Sequence, residues 1–206
     1  MENNNKNIKI ISVIALLISI LGLSLGFAAY TNIINIIASA DYVADPTTTA
    51  AKLSTEDDEV ASGPITPTTD GGATADNASL TDNSISNIVV HFTNSGQSAT
   101  YTFYGYNDSD FVSYLNSVVF GTKTCTPGVG ATASYVQNAC DDITMTIIAG
   151  GNSYTATNAN INGHSLASQN SEVIQVKIEY AAGGDVADGD FTVDFGTSAL
   201  TYSTDD

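Results

Sequence analysis

Few side chains in this 206-residue sequence could carry acid–base or nucleophilic chemistry, because it contains two histidines and two cysteines. His91 lies among alternating apolar residues, which is typical of a strand, and His164 follows Asn162 and Gly163 in a turn-like segment. A Ser-His-Asp triad needs a histidine between a carboxylate and a hydroxyl. Neither histidine belongs to a G-x-S-x-G or H-E-x-x-H motif, and no phosphate-binding loop occurs. The sequence therefore predicts a protein that is not an enzyme.

Aspartates offer a second kind of chemistry, because Ca²⁺ binds several carboxylate or carbonyl oxygens at close range. The densest acidic turn contains Asp185, Asp188 and Asp190. It departs from the EF-hand loop, which has oxygen ligands at alternate positions, Gly at the sixth position and Glu at the twelfth. The sequence offers this turn as a candidate structural calcium site, with solvated turn aspartates as the alternative, and it indicates no other cofactor.

The charge balance excludes one large class of partner. The chain has 22 acidic and 5 basic residues, the basic ones are all lysines, and the formal net charge is −17. A nucleic-acid interface needs Lys and Arg side chains that neutralise phosphates and contact base edges. We therefore expect no nucleic-acid partner, and such a charge favours cations or neutral surfaces.

An uncharged, apolar segment at residues 10–30 organises the chain, and Lys6 and Lys9 precede it. A helix of that length spans roughly the 30 Å hydrocarbon core of a bilayer, and the lysines predict a cytoplasmic start. Small residues near its end predict signal-peptidase cleavage between Ala28 and Ala29, and residues 38–40, Ala-Ser-Ala, offer a second candidate site. The segment 1–28 is therefore a signal peptide or a retained anchor, and it contacts the membrane before cleavage or without it.

Both outcomes carry the rest of the chain out of the cytoplasm, where disulfides form and persist. Cys125 and Cys140 match no zinc spacing, and two histidines supply too few further ligands for a four-ligand site. The sequence favours one disulfide that closes residues 126–139 and contributes roughly 3 kcal/mol through loop entropy. Two unpaired buried thiols are the alternative for a cytosolic protein.

Two segments precede the main domain. Residues 44–80 are rich in Thr, Ala, Asp, Pro and Gly and poor in apolar side chains, which is typical of a flexible or loosely docked linker. Residues 29–43 contain a β-branched run that predicts a strand, and a strand on a long tether is free to pair with another sheet. The apolar side chains of this candidate donor strand are Ile33, Ile34, Ile36 and Ile37.

The remaining residues, 81–206, alternate apolar and polar side chains with the period of two that strands require. Hairpins are predicted for 88–103, with a turn at Asn94-Ser95-Gly96, and for 191–202. Further strands are predicted for 112–120, 143–148, 154–157 and 172–180. The sequence thus predicts an all-β fold, an antiparallel β-sandwich or jelly roll preceded by an N-terminal hydrophobic helix.

Three segments carry a family resemblance. Residues 22–32, GLSLGFAAYTN, combine Gly-rich apolar residues with an Ala-Ala-aromatic-polar end. Residues 88–103, IVVHFTNSGQSATYTF, combine a strand, an Asn-x-Gly turn and a returning strand, and residues 190–196, DFTVDFG, precede a closing turn. Together they resemble the TasA/camelysin family of exported, fibre-forming matrix proteins with SipW-type signals. The linker, the Cys125/Cys140 loop and the shortage of lysine depart from that family.

The resemblance implies a jelly-roll subunit that is secreted, cut by a dedicated signal peptidase and located in the extracellular matrix or at the cell surface. It also implies self-assembly into biofilm fibres, in which the N-terminal strand of one copy completes the sheet of the next. Ile33, Ile34, Ile36 and Ile37 would then carry assembly. The alternative is a membrane-tethered surface domain, with residues 1–28 uncleaved, that binds a ligand or partner through its loops.

Overall fold

The structure is a computed structural model that describes residues 36–44 and 51–204 of the chain. These residues belong to one compact unit, Ile33–Asp206. Within the described ranges, no helix is both long and apolar enough to cross a bilayer. The predicted N-terminal hydrophobic helix, with the cleavage site at Ala28 and Ala29, lies outside the described residues.

Sixteen strands and one helix make up the described ranges. The strands are β1 (Ile36–Ala44), β2 (Ala51–Ser54), β3 (Gly63–Ile65), β4 (Thr68–Asp70), β5 (Thr74–Ala75), β6 (Ala78–Thr81), β7 (Ser84–Ile88), β8 (Val90–His91), β9 (Ser98–Asn107), β10 (Ser113–Val119), β11 (Thr124–Pro127), β12 (Ile143–Ala149), β13 (Asn152–Tyr154), β14 (Ser165–Leu166), β15 (Ser171–Tyr180) and β16 (Phe191–Ser203). The helix, α1, spans Ala133–Asp141.

The described strands form two large sheets and one small one. The larger sheet has eight strands in the order β14-β10-β16-β1-β7-β6-β3, with β11 also paired to β16. The second has six in the order β13-β12-β15-β9-β2, with β4 also paired to β9, and β5 pairs with β8. Every pairing among them is antiparallel except β1 with β16. The predicted all-β fold with antiparallel sheets is confirmed, and both large sheets bury a shared core as in a sandwich.

The core follows from the period-two patterns of β9, β12 and β15. Ile174 on β15 lies opposite Phe103 on β9, and Val176 lies between Tyr101 on β9 and Ile147 on β12. All five side chains are at most 1% exposed. Because the register stacks apolar side chains on one face, each adds about 1.5–3 kcal/mol of hydrophobic stabilisation. The strands predicted for 143–148 and 172–180 are confirmed by β12 and β15.

The hairpin predicted for 88–103 is wrong in its pairing. The turn before Gly96 is present and gives Gly96 a φ of +82°, yet β8 pairs with β5 while β9 pairs with β15. The Gly96 N–H donates to the Tyr180 carbonyl (2.8 Å), and the Tyr180 N–H donates to the Gln97 carbonyl (2.9 Å). The end of β15 thus pairs with the chain as it leaves the turn, so the turn joins two sheets. Alternation alone cannot distinguish these two arrangements.

The closing hairpin predicted for 191–202 is also corrected, because β16 is one continuous strand of 13 residues. Its alternation of buried residues changes phase after Phe195 and resumes at Ser198. Opposite β1, the register skips one residue between Asp194 and Gly196, which is a β-bulge. Gly196 has a φ of +63°, and its N–H donates to Asp194 Oδ1 (2.7 Å). The glycine that suggested a turn therefore bends a strand instead.

The linker predicted for 44–80 is corrected over its described residues, because 51–81 holds the five short strands β2 to β6. The Leu53 N–H donates to the Asp82 carbonyl (2.7 Å), and Leu53 lies opposite Gly105 on β9. Strands of two to four residues are too short to produce a visible period-two pattern. The apolar side chains that dock this segment into the core are Ala51, Leu53, Ile65, Ala73, Ala78 and Leu80.

Helix α1 lies in a segment where the sequence predicts only a disulfide loop. Its buried residues are Val136, Ala139 and Cys140. Ala139 and Cys140 follow Val136 by three and four positions, so all three lie on one face of the helix. Cys140 is bonded to Cys125 on β11 with their Cα atoms 6.3 Å apart, so the predicted disulfide is confirmed. Lys123 Nζ donates to the Cys140 carbonyl (2.9 Å) at the end of the helix, where a cation is favourable.

We expect Leu53→Ala to lower the free energy of unfolding by about 2–5 kcal/mol, because a 1% exposed leucine leaves a cavity when truncated. A urea titration followed by circular dichroism measures the change. Thr69→Ala, at an exposed position of β4, is the matched control and should shift stability by less than about 0.5 kcal/mol. Equal, small effects of both variants would mean that residues 51–81 are a loosely docked linker after all.

Replacing both Cys125 and Cys140 by serine should lower the free energy of unfolding by roughly 3 kcal/mol, because the bridge closes a loop of 15 residues in the unfolded chain. Adding reductant to the unmodified protein should produce the same shift in its denaturation midpoint. The double variant itself serves as the control, since its midpoint should not respond to reductant. A midpoint that reductant leaves unchanged in the unmodified protein would contradict the structural role of the bridge.

Candidate functional site

Strand β1 occupies the middle of the larger sheet. It pairs in parallel with β16 from Ile36↔Val193 to Ala44↔Tyr202, and on its other side it pairs antiparallel with β7. Both backbone edges of β1 are therefore hydrogen-bonded to neighbours. Without β1, the strands β14, β10, β11 and β16 would be separated from β7, β6 and β3 by an open slot.

The two neighbours of β1 are distant from it in sequence. Residues 45–50 follow β1, and the chain then enters β2 in the other large sheet. No hairpin turn joins β1 to β7 or β16, although antiparallel neighbours are often linked by such turns. The backbone bonds that pair β1 with β7 and β16 are thus all long-range.

The walls of the slot are core side chains of its neighbours. Ala38, which is 2% exposed, lies opposite Ile88 on β7, and Ala40 lies opposite Ile85. Ile85 and Ile88 are 0% and 1% exposed, as are Val193 and Leu200 on the β16 side. The slot therefore lies directly over the hydrophobic core and must be filled for the core to stay dry.

Two of the four predicted assembly residues belong to this strand. Ile36 and Ile37 open β1 and lie opposite Val193 and Asp194 in the parallel register. Ile33 and Ile34 lie outside the described residues. Of the strand predicted for 29–43, the described residues form Ile36–Ala44, which ends one residue after the predicted end.

A second cluster combines His164, Glu172 and Tyr202. His164 Nε2 lies 2.6 Å from Glu172 Oε2, and their side chains are only 7% and 9% exposed. The Tyr202 hydroxyl, on β16, donates to Glu172 Oε1. Asn152 Nδ2 lies 3.3 Å from His164 Nδ1, on the other side of the ring. The cluster joins the β14 end of the larger sheet to β15 of the second sheet.

The absence of a side chain at Gly150 leaves room for the contact between His164 and Glu172. A Cβ at Gly150 would lie 2.5 Å from Glu172 Oε2 and 3.0 Å from two atoms of the His164 ring. Gly150 also has a φ of +53°, which disfavours other residues. Sequence reasoning placed His164 in a turn and missed its partner, because the strand pattern gives Glu172 only as a polar residue at the start of β15.

The carboxylate of Glu172 controls the ionisation of His164. Its hydrogen bond raises the pKa of His164 above the ordinary value of 6.5, burial opposes the shift, and the charge of Glu172 adds to it. The neutral and charged imidazole therefore differ in how strongly they bind the carboxylate. The protonated form makes a buried ion pair, in which the loss of either partner is costly.

The candidate calcium site is corrected by the structure. Asp188 accepts hydrogen bonds from the Thr132 hydroxyl and from the Thr132 N–H (2.8 Å) just before α1, and these bonds lower the pKa of Asp188. At Asp185 the backbone N–H donates to Asp142 Oδ2 (2.7 Å). Across the described residues no three His, Cys, Asp or Glu side chains, Asp190 included, form a group that could hold a metal ion. The Asp188 carboxylate instead binds Thr132, the residue just before α1.

Comparison with known proteins adds no relative: no family model, no curated protein and no solved structure matches this chain.

The protein should lose stability as the pH rises through the folded-state pKa of His164. Because that pKa is raised, the stabilisation by the ion pair is fully present below the unfolded-state pKa of about 6.5 and decreases above it. Denaturant midpoints measured from pH 5 to pH 9 report this slope. Glu172→Gln should flatten it, whereas Glu179→Gln, at an exposed ion pair with Lys177, should not. Parallel slopes for both variants would show that His164 is not the responsible group.

Proposed function

We propose that this protein is a structural subunit of an extracellular or cell-surface fibre and that copies assemble by exchanging β1. The observation that carries the proposal is the position of β1, an N-terminal strand at the centre of a sheet in which neither neighbour adjoins it in sequence. Exported matrix fibres, including those of biofilms, are the setting that the hydrophobic N-terminal segment and the disulfide favour.

The energetics favour exchange over a new interface. A β1 strand from a neighbouring copy makes the same backbone bonds and fills the same slot as the protein's own β1, so both arrangements contain equal contacts. Exchange of an identical element is for this reason a low-cost route to assembly. The equilibrium between the closed monomer and the exchanged assembly depends on the length of the segment 45–50 and on subunit concentration. When a copy donates β1 to one neighbour and accepts β1 from another, the contact is head-to-tail. It propagates as a filament when the rotation between copies does not close a ring.

The net charge of the subunits makes their assembly dependent on ionic strength. A formal charge of −17 on each copy opposes close approach, and the repulsion weakens as ions screen it. We therefore expect filaments to form more readily at high ionic strength or with divalent cations. The export route, a jelly-roll connectivity of the sandwich and the resemblance to the TasA/camelysin family are parts of the same proposal.

A tethered surface domain is the second candidate function, and the exposed apolar side chains of three loops favour it. Phe111 is 67% exposed, Val186 is 68% exposed and Val129 is fully exposed. Apolar side chains in loops at the edge of a sandwich are suited to bind a partner. In this alternative residues 1–28 remain in the membrane and β1 stays within its own chain.

Engineered cysteines at Asp41 and Ser84 distinguish exchange from the closed monomer. These positions are opposite each other on β1 and β7, and cross-strand Cα atoms lie about 4.5–5.5 Å apart, within reach of a disulfide. In filaments of the full-length Asp41→Cys/Ser84→Cys variant, we expect bonds between copies, visible as a ladder of covalent multimers on a non-reducing gel. Reductant should collapse the ladder to monomer.

The matched control moves one cysteine two residues along β7. Ser86 lies opposite Ser79 on β6 and out of register with Asp41, so Asp41→Cys/Ser86→Cys should give no ladder. Mass spectrometry of the linked peptides identifies the 41–84 bond. If that bond forms only within monomers, at every protein concentration and salt concentration tested, β1 belongs to its own chain and strand exchange is excluded.

A further inference from the structure

Two adjoining cavities open beside the His164 cluster, at the end of the second sheet. One has a volume of about 420 Å³ and the other about 470 Å³, and both are lined by Asn152, Gly163 and His164. Ligand sites in proteins typically measure about 300–1,000 Å³. We call the two together the asparagine cleft. It lies far in sequence from β1, and no residue of β1 lines it.

Amide side chains dominate the polar lining of the cleft. An asparagine amide offers two N–H donors and a carbonyl acceptor, so one side chain can bind two neighbouring hydroxyl groups of a ligand. The hydroxyls of Ser153 and Ser165 add further donors and acceptors. The asparagines that line the cleft are Asn152, Asn158, Asn160, Asn162 and Asn170.

The charges at the cleft select a neutral ligand. Its lining residues include one acidic and one basic side chain, Glu172 and His164, whose carboxylate oxygen and ring nitrogen lie 2.6 Å apart. Phosphate or carboxylate groups would find no unpaired cation there, and the formal charge of −17 repels anions. A cationic ligand would have to displace His164 and Tyr202 from Glu172, which they already bind.

An apolar surface completes the recognition of a sugar ring. Tyr154 and Ile161 line the larger cavity, and Tyr154 is half-buried. A pyranose has hydroxyl groups around its rim and C–H groups on its faces, so it matches a site lined by both amides and an aromatic ring. Aromatic walls with a few placed polar groups are typical of small-molecule sites.

Four backbone hydrogen bonds hold the cleft wall against β10. The Asn158 N–H donates to the Val118 carbonyl (2.8 Å), and the Val118 N–H donates to the Asn158 carbonyl (2.9 Å). The Ile161 N–H donates to the Asn116 carbonyl (2.8 Å), and the Leu115 N–H donates to the His164 carbonyl (2.8 Å). The buried His164–Glu172 pair fixes the other wall. Such preorganisation reduces the ordering cost of binding.

We propose that the asparagine cleft binds a neutral carbohydrate, with its two cavities accommodating consecutive sugar rings of a glycan chain. Tyr154 stacks on one ring, and Asn152, Asn160 and Asn162 bind its hydroxyl groups. In a fibre, each subunit would then attach to surrounding polysaccharide along the whole filament.

Isothermal titration calorimetry on the full-length protein tests the proposal with three neutral probes: maltotriose, cellotriose and N,N′,N″-triacetylchitotriose. Trigalacturonic acid is the anionic comparison. We expect at least one neutral probe to bind with a Kd of about 1 mM or tighter and the anionic one to bind more weakly. Tyr154→Ala and Asn162→Ala should each weaken that binding by about tenfold or more.

Two variants on α1 serve as matched controls. Tyr135→Ala and Asn138→Ala remove exposed side chains of the same types, away from the cleft, and should leave the Kd unchanged. All four variants change exposed or half-buried residues, and a thermal melt verifies that each is folded. The proposal is overturned if no neutral probe binds at about 10 mM, if trigalacturonic acid binds best, or if the cleft and helix variants behave alike.

Discussion

Hydrogen bonding along both edges of β1 is the interaction on which the larger sheet depends. β16 and β7 do not pair with each other, so without a strand between them each would expose a row of backbone donors and acceptors over buried isoleucines. Because β1 begins near the N-terminus and β16 lies at the C-terminal end of the described chain, the sheet is completed by contacts between the two ends of the sequence. No turn joins β1 to either neighbour, so in the proposed exchange the strand of another copy would fill the same slot.

The rest of the fold supports the slot through interactions that do not involve β1. β9, β12 and β15 form a continuous ladder over the core, and β16 is held independently by β10 and β11. The Cys125–Cys140 bridge ties β11 to α1, while the Tyr202–Glu172 bond ties β16 to β15. In the proposed exchange, a subunit that donates β1 to a neighbour would therefore keep the β16 wall of the slot in place for the incoming strand.

The acidic surface affects the two proposed activities differently: it opposes fibre assembly but not the binding of a neutral carbohydrate. Subunits must approach each other despite a formal charge of −17, which screening by salt allows. A neutral glycan experiences no such electrostatic repulsion, and at the asparagine cleft the Glu172 carboxylate is already bound by His164 and Tyr202. The two proposed activities use separate elements, so each can be lost without the other.

The sequence by itself determined the long strands β10, β12 and β15, the all-β class and the disulfide, because each rests on a local pattern or on the only two cysteines in the chain. Only the tertiary structure decided that β1 sits between β16 and β7, that residues 51–81 dock into the core, and that His164 meets Glu172. Those features depend on which distant backbone edges and side chains come together, whereas period-two alternation reports only which face of a strand is buried. Two glycine-containing segments, both predicted as hairpin turns, illustrate the limit. The turn at Gly96 joins separate sheets, and the segment at Gly196 is a bulge within a single strand.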